Sequence, residues 1–155
     1  MATEIERKFL LKDDSWKMES DGGVHYAQGY LNETGNTVRV RVAGDKGFLT
    51  VKSKSKGISR LEFEYEIPKE DALQMMELSQ TPIVEKFRHK IRRGKHCWEI
   101  DEFMGENEGL VIAEIELESE DEPFERPEWL GEEVSGIKRF YNSHLAKKPY
   151  KYWWL

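Results

Sequence analysis

The chain has 155 residues, of which 35% are charged and 12% aromatic, and its formal net charge is −6. That length supplies one sizeable core, so one domain over residues 1–155 is expected; the apolar and aromatic content excludes a disordered polyelectrolyte despite a mean hydropathy of −0.74. The acidic balance argues against a nucleic-acid coat or a membrane surface as partner, no apolar run approaches the roughly 20 residues of a membrane span, and the lone Cys97 fits a reducing compartment such as the cytoplasm.

Residues 3–11 alternate as a β-strand, which places Glu4, Glu6 and Lys8 on one face and Ile5, Arg7 and Phe9 on the other. Neighbouring carboxylates repel unless a cation lies between them, and Mg²⁺ or Mn²⁺ favours such hard oxygen ligands; Lys8 would favour an anion brought with the metal. One Glu-x-Glu-x-Lys is weak by itself, since a solvated strand face has the same pattern. A short helical turn is expected at 13–17, a break at Asp21-Gly22-Gly23 and a second strand at 24–31, ending in the polar cluster 32–36. Residues 37–42 alternate without a fault, three valines on one face and Arg39 and Arg41 on the other. A hairpin turn at 43–47 leads to a strand at 48–54, with Thr50, Lys52 and Lys54 opposite Leu49 and Val51.

At 59–67, Leu61, Phe63, Tyr65 and Ile67 alternate with Arg60, Glu62, Glu64 and Glu66. Pro68 opens a predicted helix through Leu78 that packs as an outer layer. Strands follow at 84–91, stacking Lys86, Arg88 and Lys90; at 95–103, where Trp98 and Ile100 oppose Glu99 and Asp101; and at 110–118, where Glu114, Glu116 and Glu118 share a face. The remainder holds Pro127-Glu128-Trp129-Leu130-Gly131, a predicted helix at 137–147 and an aromatic tail at 149–155. That tail is expected to pack on the wall of the fold or on a second subunit, which makes it compatible with a homodimer.

Eight predicted strands without a βαβ rhythm point to a mainly β, α+β fold: an eight-stranded antiparallel closed barrel with a few outer helices. Alternation alone supports no site, because a half-exposed sheet also alternates. The sorting of charge does. Glu4/Glu6, Glu62/Glu64/Glu66 and Glu114/Glu116/Glu118 form acidic ladders, while Arg39/Arg41, Lys52/Lys54 and Lys86/Arg88/Lys90 form basic ones. If the barrel closes with its apolar faces outward against helices, these ladders line a charged lumen suited to a small polyanion with metal. Arg grips phosphate bidentately, Lys acts as a point charge, and carboxylates would carry Mg²⁺ or Mn²⁺ and through it activate a water. Cys97 reads as packing, and His25, His89, His96 and His144 lack zinc-ligand spacing.

Together, the Glu-Ile-Glu-Arg-Lys-Phe opening, Arg39-x-Arg41, Lys52, Glu62-x-Glu64, Lys86-x-Arg88, Asp101 and Glu114-x-Glu116 resemble the CYTH superfamily of triphosphate tunnel metalloenzymes, essentially from end to end. The resemblance implies that Glu4, Glu6 and Glu116 hold the principal metal, with Glu62, Glu64, Asp101 and Glu114 as further acidic tunnel residues. Lys8, Arg39, Arg41, Lys52, Lys86 and Arg88 would grip phosphates, and Glu4, Glu6, Lys8 and Glu116 would form the catalytic group. A C-terminal plug helix is also implied, with Lys138 as its basic contribution and Arg139 the next choice; Phe140 stands where many relatives carry Tyr. The implied activity is hydrolysis of tripolyphosphate to pyrophosphate and phosphate, as in short bacterial members. Thiamine triphosphatase, a class IV-like adenylate cyclase and a non-catalytic polyphosphate-binding module remain alternatives.

Overall fold

The computed structural model describes residues 2–154. Among them are nine strands, β1 Thr3–Leu11, β2 Val24–Tyr30, β3 Thr37–Ala43, β4 Lys46–Lys52, β5 Ser59–Ile67, β6 Val84–Arg93, β7 His96–Phe103, β8 Val111–Leu117 and β9 Leu130–Glu133, and two α-helices, α1 Lys69–Met76 and α2 Asn142–Lys147. The ladders are antiparallel in the order β5-β4-β3-β2-β6-β7-β8-β1, and β1 returns to β5, closing the expected eight-stranded barrel. Closure gives β1 three neighbours. One edge follows β8 from Ile5↔Leu117 to Leu10↔Ile112, and the other pairs first with β5 through Glu4↔Arg60 and then with β9 through Leu11↔Leu130.

The ninth strand is an addition to the sequence reading. It is four residues long and contains Gly131, whose added Cβ would lie 2.8 Å from the Leu10 carbonyl oxygen, so it lacks the alternation that marks a strand. The predicted strand 48–54 runs instead over Lys46–Lys52, which leaves Lys54 exposed beyond the ladder. The predicted helix 68–78 is α1, with Pro68 at its N-cap. The predicted helix 137–147 is two pieces, a 3-10 turn at Lys138–Phe140 and then α2, separated by extended Tyr141 at φ −73°, ψ 138°. That break allows Phe140 to enter an apolar cluster while Tyr141 lines the barrel interior.

Alternation along the strands separates two environments. Outward side chains Phe9, Ile91, Trp98, Ile100, Ala113, Ile115 and Leu117 form a core covered by Trp16, from a 3-10 turn at Ser15–Glu19, and by Trp129 and Leu130. Burying each large apolar side chain there contributes about 1.5–3 kcal/mol. On the far side α1 packs Ala72 against Val40 and Val42, and Gly47 permits the approach, since a Cβ on it would lie 2.7 Å from that of Ala72. The expectation that helices cover the outer faces fails over β4 and β5, where Val51, Leu61, Phe63 and Tyr65 are exposed. The short helix α1 lies over β3 and the Gly47 end of β4, which leaves the remainder of β4 and β5 uncovered.

At one end of the barrel the inward positions turn apolar. Leu10, Tyr30, Val84, Phe103 and Ile112 meet Phe140, Leu145 and Ala146 in a second cluster, so the α2 segment plugs the interior there. The aromatic tail continues this packing: the Trp153 ring stands 5.2 Å from Phe140 and 5.0 Å from Tyr150, both edge-on. Trp154 is exposed, and Leu155 lies outside the described residues. No helix among the described residues is long and apolar enough to cross a membrane.

Candidate active site

The inward charges meet in one chamber. Its wall includes Glu4, Glu6, Lys8, Arg39, Arg41, Lys52, Glu62, Glu64, Lys86, Arg88, Glu114 and Glu116. Strand register decides which charges are neutralised. Across β1 and β8, Lys8 stands opposite Glu114 and its Nζ donates to Glu114 Oε1 at 2.8 Å, whereas Glu6 stands opposite Glu116, acid against acid. Like charges directly opposite destabilise a ladder unless a cation intervenes. Burial first, then Glu114 and Glu4, push Glu6 up to about 7, with Lys8 and Lys52 opposing. Burial and the charges of Glu4, Glu62 and Glu99 also raise Glu116.

Glu6 reaches Lys8 Nζ at 3.6 Å, a lysine already bonded to Glu114, and Glu4, Glu62 and Glu64 have closer cations. Glu4 lies 3.3 Å from Lys52 Nζ and 3.4 Å from Arg60 Nε, and Glu62 lies 2.9 Å from Lys52 Nζ. Burial opposes ionisation of Glu62, but Lys52 outweighs it and lowers its pKa. Glu64 accepts from Thr50 Oγ1 at 2.8 Å and pairs with Arg39 Nη2 at 3.3 Å.

The other side of the chamber is cationic. Arg88 donates to Asp101 from Nε at 2.8 Å and from Nη2 at 2.9 Å, and Lys86 Nζ donates to Asp101 Oδ2 at 2.7 Å and to Asn142 Oδ1 at 2.9 Å. One carboxylate therefore serves two buried cations. Asp101 is driven down to about 2 because Arg88 and Lys86 outweigh its burial. Lys86 is nevertheless pulled down to about 7 by its own burial and by Arg88 and Arg41, so the charge of Asp101 is matched chiefly by Arg88. Arg41 has no carboxylate partner at ion-pair distance among the described residues; its Nε donates to Gln28 Oε1 at 2.9 Å. Its guanidinium and that of Arg88 each lie 4.9 Å from the Tyr26 ring centroid. Burial, then Arg39 and Arg88, lower Arg41 to about 10, and Arg39 Nε is buried without a hydrogen-bond partner. An excess of buried positive charge with unused donors fits an anion with many oxygens.

Asp101 sits behind the chamber wall, fully buried in its two ion pairs. Lys138 and Arg139 are exposed outside it, and Arg139 lies against the rings of Phe140 and Trp153. None of the four histidines lines the chamber; His89, for instance, bonds Ser20 and Glu102. Several lining residues escaped the sequence reading: Arg60, Glu99, Thr37 and Tyr30 around the wall, and Tyr141, Asn142 and Ser143 from the plug segment. Arg60 and Glu99 were readable from parity, being two residues from Glu62 and Asp101. The plug residues carry no such periodicity.

A closed antiparallel barrel that turns opposed carboxylates and clustered guanidiniums into one interior defines a class of protein built to hold a polyanion together with a cation. Within that class the chain belongs to the CYTH-domain family, whose domain matches residues 2–141. It is 52% identical, over 97% of each chain, to an inorganic triphosphatase of Acetivibrio thermocellus, and 37% identical, over 93% of this chain and 97% of the other, to an inorganic triphosphatase of Nitrosomonas europaea. A crystal structure described as an inorganic triphosphatase superposes with a TM-score of 0.65 at 34% identity, covering 94% of this chain and 95% of that one.

Proposed function

We propose that this protein is an inorganic triphosphatase that uses Mg²⁺ or Mn²⁺ to hydrolyse tripolyphosphate to pyrophosphate and phosphate. The observation that carries the reading is the juxtaposition, in one chamber, of the opposed Glu6 and Glu116 carboxylates with the Arg39, Arg41 and Arg88 cluster. The triphosphatase names of the relatives support it.

The donor set fits a hard divalent ion, because carboxylate oxygens are the ligands such ions prefer and Glu6 and Glu116 face each other across the ladder. Among the described residues no three of His, Cys, Asp or Glu are grouped as a ready cage. The residues that would hold such an ion are a few carboxylates, Glu6 and Glu116 first and Glu4 and Glu62 beside them. When bound, the ion supplies charge neutralisation and a more acidic coordinated water. Glu114 and Asp101 serve as counter-ions that hold Lys8, Lys86 and Arg88 in place. Glu64 does the same for Arg39.

In the reaction a water oxygen bonds to the terminal phosphorus, the bridging P–O bond breaks with its electron pair going to pyrophosphate, and a proton is released. Arg39, Arg41, Lys86 and Arg88 bind and orient the phosphates and oppose the charge that spreads over their oxygens. Lys8 and Lys52, each beside a carboxylate, stand between the acidic and basic sides. A cytoplasmic setting agrees with the single free Cys97.

Tripolyphosphate, ATP and thiamine triphosphate, assayed with Mg²⁺ and with Mn²⁺ for phosphate and for cyclic AMP, test the reading. Phosphate from tripolyphosphate is the expected main product, and cyclic AMP from ATP as the main product would overturn it. Glu6→Gln is expected to lower kcat by at least about a hundredfold while tripolyphosphate still binds. Unchanged turnover removes Glu6 from the site.

A further inference from the structure

The C-terminal segment differs in charge from everything before it. Between residues 134 and 155 stand five cations, Lys138, Arg139, Lys147, Lys148 and Lys151, and no Asp or Glu, in a chain whose net charge is −6. Among the described residues only Lys151 has a carboxylate at ion-pair distance, Glu106 at 3.3 Å. The others lie together: after burial, the charges of Lys147, Lys148 and Lys138 are what lower the pKa of His144, and Arg139 lies 5.2 Å from the Trp153 ring, whose Nε1 donates to the Lys148 carbonyl. Within this basic surface Trp154 is 76% exposed, with Ile137 and Tyr152 also open to solvent. The chamber uses none of these side chains.

Isolated exposed apolar residues need no explanation, but a tryptophan near cations without a carboxylate partner does, even though Lys147 Nζ donates to the Glu33 carbonyl. Indole rings and lysine stems favour the boundary between lipid headgroups and acyl chains, where the ring is half-solvated and the ammonium reaches phosphate. Single-stranded nucleic acid also suits cations and aromatics, yet it is held by successive stacking rings along a groove, and here the rings of Tyr150 and Trp153 are packed edge-on against their neighbours.

We propose that this plug-end face docks peripherally on an anionic lipid surface, with Trp154 entering the headgroup layer and Lys138, Arg139, Lys147 and Lys148 facing lipid phosphates. The acidic remainder of the protein is repelled by the same surface, which orients the molecule with its C-terminal face toward the lipid. The proposal does not rest on the reading of the chamber.

Co-sedimentation of the full chain with vesicles tests it. Binding is expected with phosphatidylcholine vesicles that contain phosphatidylglycerol, not with phosphatidylcholine alone, and is lost at high salt. With roughly fivefold per charge near such a surface, Lys147→Glu with Lys148→Glu is expected to weaken partitioning by at least about a hundredfold. Trp154→Ser is expected to weaken it less, and both variants keep the activity of the parent on tripolyphosphate. Absence of binding to the anionic vesicles, equal binding to both kinds, or indifference to the charge reversal overturns the proposal. Capture of poly(U) with the vesicles left unbound assigns the face to nucleic acid and overturns it equally.

Discussion

Asp101 is the residue on which the basic side of the chamber depends. Lys86 is fully buried and Arg88 nearly so, and both donate to its oxygens. Removing one partner of a buried ion pair costs far more than the pair contributes over an apolar substitute, about 3–5 kcal/mol, because the remaining charge is stranded. Asp101→Asn is thus expected to lower stability by that amount in chemical denaturation, and tripolyphosphate, as a substitute anion, is expected to restore part of it. A variant as stable as the parent would mean that Lys86 and Arg88 find other partners. Two neighbouring groups carry a pH signature. In the metal-free protein Glu6, raised to about 7 from 4.5, holds a proton in the native state that the unfolded chain lacks, so its contribution to stability falls as pH rises from 4.5 to 7. Lys86, lowered from 10.5 to about 7, has the opposite imbalance, and its contribution rises with pH from 7 to 10.5. The melting temperature is expected to pass through a minimum near pH 7; Glu6→Gln removes the acid-side slope and Lys86→Met the alkaline one. A profile flat on the acid side contradicts the assignment of Glu6, and one flat on the alkaline side that of Lys86.

At the scale of elements, the strands and the existence of a C-terminal plug were legible, but which side chains the plug turns inward was not, for a physical reason. A strand repeats its environment every two residues, so Glu4, Glu6 and Lys8, or Arg39 and Arg41, declare a shared face without any knowledge of their neighbours. Which cation meets which carboxylate depends on register between distant strands: that Lys8 faces Glu114 while Glu6 faces Glu116 follows from the β1 and β8 ladder and from nothing local. The segment from Lys138 to Lys147 alternates in neither period, because its job is to fill the end of a barrel whose shape is set elsewhere. Asn142, the first residue of α2, shows the consequence, accepting from Lys86 at 2.9 Å and from Gln28 at 3.3 Å. Asn142→Ala leaves a buried ammonium with one acceptor fewer and is expected to cost about 1.5–3 kcal/mol and to raise KM for tripolyphosphate as Lys86 reorients. Leu145→Ala, in the apolar cluster, is expected to cost about 2–5 kcal/mol with little change in KM. If both variants change KM equally, the hydrogen bond to Lys86 has no positioning role.

For the whole molecule, the closed barrel reverses the usual arrangement, with apolar side chains between wall and covering segments and charged ones in the middle. Such an interior carries electrostatic strain: on one side Glu114 and Glu4 repel Glu6 while Glu4 and Glu62 repel Glu116, and on the other Arg39 and Arg88 repel Arg41. A polyanion alone relieves the basic side and adds charge near the acidic one, whereas a divalent cation alone does the reverse. Only the two together neutralise both. Since a ligand that binds the native state alone stabilises it by about 2.7 kcal/mol at a hundred times its Kd, tripolyphosphate with Mg²⁺ is expected to raise the melting temperature by about 5–10 °C. A fast scan limits turnover, and Glu6→Gln provides a slow-turnover control. The joint shift is expected to exceed the sum of the shifts given by tripolyphosphate and by Mg²⁺ separately, because each removes the repulsion that opposes the other. Additive shifts would show that the acidic and basic sides act as independent sites, and the chamber would then hold two ligands without coupling them.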